Sequence, residues 1–125
     1  MIRGKNIENN IFVAGNKTLF DMSAAANGEL VLIHPKPIRI NNVYITWVES
    51  SSADAGSHVH IGKTDGGVEY AEITTTISQT APTTNSYGTG SLTLATVPAN
   101  TPIYINRAQK TGAGTCFVYF TYTVL

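Results

Sequence analysis

Apolar and polar positions alternate along most of this chain, and no segment makes a convincing long helix. The last ten residues show the alternation best. Cys116, Val118, Phe120, Tyr122 and Val124 fall on one side of an extended chain, and Phe117, Tyr119, Thr121, Thr123 and Leu125 on the other. The segment contains no charge, glycine or proline. Large groups on both sides predict a strand deep in a sheet, or one whose second face meets another subunit.

The longest strand signal runs from Ile38 to Val48. Ile38 and Ile40 share one parity, whereas Val43, Ile45 and Trp47 share the other. The phase changes at Asn41-Asn42, which predicts a β-bulge that keeps both sets facing the core. A straight strand would send one set to solvent.

Shorter elements fill the rest. Ile11 to Val13 is an apolar run. Gly15-Asn16 is expected to turn, with Lys17 to Met22 returning as a strand. Ser23 to Asn27 is too short for a stable helix and reads as a loop. Gly28 to Ile33 is a strand ended by Pro35 and Pro37, which lack the N–H of a central ladder. Glu49 to Ser57 is a loop, Val59 to Gly62 a short strand, and Asp65-Gly66-Gly67 a turn. In Glu69 to Ile77 the spacing of Ile73 and Ile77 suits a helix, but Thr74, Thr75 and Thr76 are β-branched and favour a strand. Gln79 to Gly90 reads as a long polar surface loop. Ser91 to Ala95, Pro102 to Arg107 and Thr115 to Leu125 are further strands, the last two joined through Gly112, Ala113 and Gly114.

These elements amount to an all-β chain: a two-sheet antiparallel β-sandwich, jelly-roll-like, of about eight strands. Residues 1–10 form a short polar amino-terminal arm and residues 11–125 a single domain. An immunoglobulin-type sandwich is the nearest competitor, without that family's usual Cys…Trp…Cys spacing. Asn42-Val43-Tyr44-Ile45-Thr46 resembles Pro102-Ile103-Tyr104-Ile105-Asn106, which similar packing demands explain without duplication.

Composition narrows the function. The 125 residues are 42% hydrophobic but only 13% charged, with eight basic and eight acidic side chains. An average domain carries about 25% charged residues. The balance suits a rigid shell protein or a secreted module, and it argues against steering toward nucleic acid or an anionic membrane. Cys116 is the single cysteine, which rules out an internal disulfide; it reads as a small buried group. The opening MIRGKNIENN has no apolar run and does not read as a signal peptide. No run of about 18 apolar residues could span a membrane as a helix. Synthesis in a cytoplasm is expected.

Candidate chemistry is sparse. His58 and His60 project to one face of a strand and are near enough to share a metal ion. His34, Asp54, Asp65 or Glu69 would have to supply a third ligand, and none has a diagnostic spacing. A solvated pair with Val59 turned inward explains the pattern equally well. At a subunit contact, protonation of the pair at about pH 6 would add repulsion. Gly62-Lys63-Thr64 echoes the end of a phosphate-binding loop, but Ser57 stands where that motif needs its first glycine. Asn16-Lys17-Thr18 matches a glycosylation acceptor and carries no weight without a secretory leader. Ser57 beside His58 forms no recognisable catalytic pair, and Cys116 has no charged activator. Asp21, Glu29, Glu49, Asp54, Asp65, Glu69 and Glu72 are scattered acids. No enzyme activity, cofactor or metal is expected.

The aromatic residues say more. Tyr44 and Trp47 belong to opposite parities of one strand, and Tyr104 repeats the theme. Trp47 shares the parity of Val43 and Ile45 and reads as core or as an interface anchor. An exposed Tyr platform would suit a sugar ring. Arg39, Arg107 and Lys110 make at most a small basic patch.

In style of strand and turn the chain resembles small bacteriophage virion proteins of the jelly-roll head decoration (cement) or fibre-module type. The resemblance lies in the arm (Met1 to Asn10), in Pro37-Ile38-Arg39-Ile40-Asn41-Asn42-Val43-Tyr44-Ile45, and in Val59-His60-Ile61-Gly62-Lys63-Thr64. Val97-Pro98-Ala99-Asn100-Thr101-Pro102-Ile103-Tyr104-Ile105 and the aromatic final strand complete it. It implies a homotrimer on the virion that binds the major capsid protein or another virion protein and stabilises the assembled head. The alternative is a carbohydrate- or receptor-binding module of a tail or fibre; a small hydrolase is a third class. Pooling apolar faces and ordering the arm against a neighbour suit such a role. Ile2, Ile7, Ile11, Phe12, Phe117 and Tyr119 are the expected interface residues.

Overall fold

The computed structural model of the chain describes residues 11–21, 26–50, 58–75, 79–109 and 114–125. The arm, most of the Ser23 to Asn27 and Glu49 to Ser57 loops, Thr76 and Ile77 at the end of the expected Glu69 to Ile77 strand, and Gly112 and Ala113 of the last connection therefore lie outside the described residues. The strands are β1 (Ile11–Gly15), β2 (Phe20–Asp21), β3 (Ala26–Ile33), β4 (Ile38–Trp47), β5 (His58–Gly62), β6 (Ala71–Thr74), β7 (Thr83–Tyr87), β8 (Thr96–Val97), β9 (Pro102–Gln109) and β10 (Thr115–Val124). Two of the ten, β2 and β8, are only two residues long.

Two antiparallel sheets form the sandwich. Sheet A runs β1-β10-β4-β7, with β2 also on β10 and β8 also on β4; sheet B runs β3-β9-β5-β6. Setting β2 and β8 aside, β5–β6, β4–β7, β3–β9 and β1–β10 are successive rungs of one long hairpin, and they fall alternately in sheets B and A. The β10–β4 and β9–β5 pairings close the roll. This is the eight-stranded jelly roll predicted from the sequence.

The inner faces supply the core. Ile38, Ile40, Val43, Ile45, Trp47, Val118 and Phe120 from sheet A meet Val59, Ile61, Ile73, Ile103 and Ile105 from sheet B, all buried. Burying each side chain of this size stabilises the fold by about 1.5–3 kcal/mol. The bulge in β4 lies where the phase change predicts it. Thr121 stands opposite Asn42 and Tyr122 opposite Ile40, which leaves Asn41 as the extra residue. Asn41 Nδ2 donates to Thr123 Oγ1 at 2.9 Å, so the unpaired residue is anchored to β10 by its side chain.

Three sequence expectations need correction. Gly15-Asn16 makes no hairpin: β1 and β2 both lie along β10 as one interrupted edge, and among the described residues of the expected Lys17 to Met22 strand only Phe20–Asp21 is paired. At the break, the Glu29 carboxylate accepts from Lys17 N–H at 2.6 Å and Thr18 N–H at 3.4 Å. Carboxylate oxygens thus stand in for ladder carbonyls. Gln79 to Gly90 is not all loop, because Thr83–Tyr87 is the edge strand β7. Its ladder to β4 runs through backbone groups, and an edge strand can be polar in sequence. Ser91 to Ala95 is not a strand. Thr89–Ser91 is one 3-10 turn, Leu92 makes a single bridge to Ala71, and Thr93 and Leu94 N–H both point at Tyr70 O. Two donors on one carbonyl wrap the chain around it and leave no ladder to extend.

Candidate functional site

The two outer faces differ in chemistry. On sheet B, His58, His60 and Asn106 from β5 and β9 face outward beside Glu72 and Thr74 of β6. The tight turn after β5 folds back over this face: Gly67 N–H donates to Thr64 O at 2.9 Å, and Gly66 takes a φ of +84°, which glycine adopts without strain. The turn carries Asp65 across β9, where Oδ1 accepts from Gly28 N–H and from Asn106 Nδ2, each at 2.7 Å. Part of sheet B is therefore covered by its own chain, which accounts for Gly62-Lys63-Thr64 without a phosphate.

His58 and His60 share a face, with ring centroids 6.3 Å apart and Val59 fully buried between them. His60 is only 15% exposed, and its Nε2 lies 3.1 Å from Glu72 Oε2. His58 Nδ1 lies 3.4 Å from Thr74 Oγ1. The proposed third metal ligands do not join them. Asp65 serves the turn, Glu69 Oε1 accepts from Lys63 N–H at 2.9 Å, and His34 Nδ1 accepts from Lys36 N–H at 3.0 Å. Asp54 lies outside the described residues. Among the described residues, no group of three His, Cys, Asp or Glu side chains is placed to hold a metal.

The outer face of sheet A is open and nearly uncharged. Cross-strand register puts Ile11 and Val13 of β1, Tyr119, Thr121 and Thr123 of β10, Tyr44 and Thr46 of β4, and Thr84 and Ser86 of β7 on it, with Phe117 beside Thr46. Arg39, at one end, is its charged member. Phe117 is 38% exposed. Tyr44 and Tyr119 stack with centroids 5.2 Å apart and an interplanar angle of 19°.

Beside this stack lies an open groove of about 440 Å³, lined by Val13, Gly15, Asn16, Thr46, Phe117, Val118 and Tyr119. Its Asn16 and Thr46 side chains are already engaged. Asn16 Nδ2 donates to Thr18 O and its Oδ1 accepts from Val118 N–H at 2.6 Å, while the Thr46 and Thr84 hydroxyls bond each other at 2.9 Å. What remains is a shallow apolar floor suited to another apolar side chain.

Of the interface residues predicted from sequence, Phe117 and Tyr119 line this groove, and Ile11 lies on the same face farther along, opposite Thr123. Phe12 has the opposite parity; it turns toward the rim of the core, its ring 5.5 Å from that of Tyr122. Ile2 and Ile7 lie outside the described residues. Val13, Tyr44 and Thr46 complete the face and were not among the predicted interface residues. Val13 shares the parity of Ile11, and Tyr44 has the parity opposite the core residue Trp47. Trp47 is core, and its Nε1–H donates to Asn85 Oδ1 at 3.0 Å. Cys116 is fully buried on the inner face of β10. The second groove, about 210 Å³ between Lys63, Glu69, Tyr70, Leu94, Pro98 and Thr101, has its carboxylate committed to the Lys63 backbone.

No family model and no curated protein matches the chain significantly. Among solved structures it is similar to a chain of the cyanophage Pam1 capsid asymmetric unit, with a TM-score of 0.54 and 20% sequence identity. The match covers 93% of this chain and 86% of that one, so the likeness extends over the whole sandwich. At this identity it concerns the fold.

Proposed function

We propose that this protein is a non-enzymatic structural component of a bacteriophage virion, a decoration protein that binds and stabilises the assembled head surface. The observation that carries the reading is the outer face of sheet A: an apolar groove whose Asn16 and Thr46 side chains are already paired, rimmed by Val13, Phe117 and Tyr119. Such a face is suited to the side chains of another protein, and aromatic anchors of this kind dominate protein interfaces. The likeness to a phage capsid chain supports the same location. The partners are the major capsid protein or another virion protein, together with copies of the chain itself, for which the resemblance favours a trimer.

The carbohydrate- or receptor-binding alternative draws on the Tyr44–Tyr119 stack. A sugar site also needs convergent donors and acceptors. Here Asn16, Thr46 and Thr84 spend theirs on the chain, and this favours a protein surface. An enzymatic role would need a nucleophile and a base in one place. Cys116 is sealed in the core, away from His58 and His60 on the opposite sheet.

The test is binding to undecorated heads of the phage that encodes the chain, followed by electron microscopy. Wild type should bind saturably with regular symmetry. Phe117→Asp should bind about 30-fold more weakly, the size of a hot-spot loss of about 2 kcal/mol, with its melting temperature unchanged. Absence of head binding, joined to a specific hit on a glycan array, would replace this reading with the tail or fibre module.

A further inference from the structure

Sheet edges invite pairing with other chains unless charge, proline, a bulge or brevity protects them. Three of the four long edges here are protected or polar. β3 carries Glu29 and two breaks in register. β6 has four residues, one of them Glu72. β7 reads Thr-Thr-Asn-Ser-Tyr and follows Pro82. β1 has none of these devices. Its sequence is Ile-Phe-Val-Ala-Gly, its register with β10 is unbroken, and Ile11 and Val13 are 59% and 64% exposed. Among the described residues, no strand pairs its far side.

The phase of the β1 ladder fixes what that far side offers. Asn16 N–H donates to Val118 O at 3.0 Å, so even-numbered residues of this segment turn their backbone groups toward β10. Ile11, Val13 and Gly15 therefore turn N–H and C=O away from the sheet. Paired antiparallel with itself about Val13, the strand matches outward residues only with outward residues. Val13 faces the partner's Val13, and Ile11 faces the partner's Gly15. A slip of one residue would set outward groups against inward ones.

Side-chain size is complementary in the same register. Ile11 meets a residue without a side chain, Phe12 meets the partner's Ala14, and Val13 meets its own kind. Gly15 has no Cβ, and Tyr119 lies against it, so the partner's Ile11 would rest on the Tyr119 ring at the edge of the groove. No residue of β1 is charged, and the two-fold axis brings no like charges together.

We infer that β1 is a self-pairing edge: two copies of the chain join through antiparallel β1 strands about a two-fold axis at Val13, making one continuous sheet from two sheets A. The partner is the chain itself; the contact shares Val13 and Tyr119 with the rim of the groove, but it is read by mass and not by head binding. It also differs from the trimer that the resemblance implies.

The experiment measures the mass of the full chain by sedimentation equilibrium at micromolar concentration, for wild type, Val13→Lys and Val13→Glu, with circular dichroism confirming the native fold of each. Wild type should be a dimer or a larger assembly with an even number of copies. Each variant alone should have half that mass, because like charges then face each other across the axis. Mixing the two should restore a one-to-one pair. Val13→Pro offers a second route, since it removes an N–H that no described residue of the chain accepts; it should fold and remain unpaired. A monomeric wild type, an odd-numbered assembly, variants that keep the wild-type mass, or folded variants that fail to pair on mixing would overturn the inference.

Discussion

Gly15 and Tyr119 stand directly opposite each other, and there is no room for a side chain between them. A Cβ on Gly15 would lie 2.6 Å from Tyr119 Cβ and 2.7 Å from Val118 O. The glycine is required by this close approach and not by an unusual backbone angle. It lets the Tyr119 side chain cross the edge of sheet A, where it walls the groove. Gly15→Ala should lower stability by about 1–3 kcal/mol, the usual cost of overpacking, read as a lower urea midpoint with an unchanged slope. An unchanged midpoint would show that β1 shifts freely on β10.

The bulge at Asn41 gives a sharper outcome. Deleting Asn41 forces either Ile38 and Ile40 or Val43, Ile45 and Trp47 to the solvent side. Exposing even the smaller set costs about 3–6 kcal/mol, a large part of a domain's stability. The deletion should abolish the cooperative thermal transition. Asn41→Ala keeps the extra residue and loses only the bond to Thr123, so it should melt a few degrees below wild type.

Trp47 and Asn85 form the polar contact of the core edge. Asn85→Leu leaves the indole N–H without its acceptor and should cost about 1–3 kcal/mol. In Trp47→Phe the donor is gone, and adding Asn85→Leu should then cost less. A double-mutant cycle by chemical denaturation checks this, and strict additivity would show that the bond contributes nothing.

The Glu69 carboxyl is held below its ordinary value, first by the hydrogen bond from Lys63 N–H and then by its own backbone N–H; burial opposes them, and the Lys63 charge adds the least. A depressed folded value stabilises the protein above the unfolded carboxylate pKa and loses that contribution as pH falls through the folded value. Glu69→Gln should therefore be less stable than wild type at neutral pH, and the difference should disappear in acid. Denaturation at pH 7 and at pH 3 measures it. A gap that persists in acid would assign the effect to side-chain shape.

Much of the sandwich was legible in the residues. The parity of Ile38 and Ile40 against Val43, Ile45 and Trp47 located the bulge, because side chains on a strand alternate strictly and a core accepts only one phase. Cys116 to Val124 announced a central strand in the same way. β7 was not legible. Thr83 to Tyr87 has no apolar alternation, and its strand character comes from backbone bonds to β4, which leave no mark on composition. The break after Gly15 was equally hidden, since it depends on a carboxylate from Glu29, fourteen positions beyond that glycine in sequence.

The candidate site divides along the same line. Sequence alone determined that the chain would be all-β, poor in charge, and would carry one strand, Cys116 to Leu125, with large groups on both faces, because alternation and composition are properties of neighbours in the chain. Tertiary structure decided which face stays open. Asp65 is carried over sheet B by a turn that reaches across β9, whereas nothing described covers sheet A. It also decided that Asn16, Thr46 and Thr84 spend their hydrogen bonds internally. Both outcomes rest on contacts between distant segments, which only the register of the rolled sheets brings together.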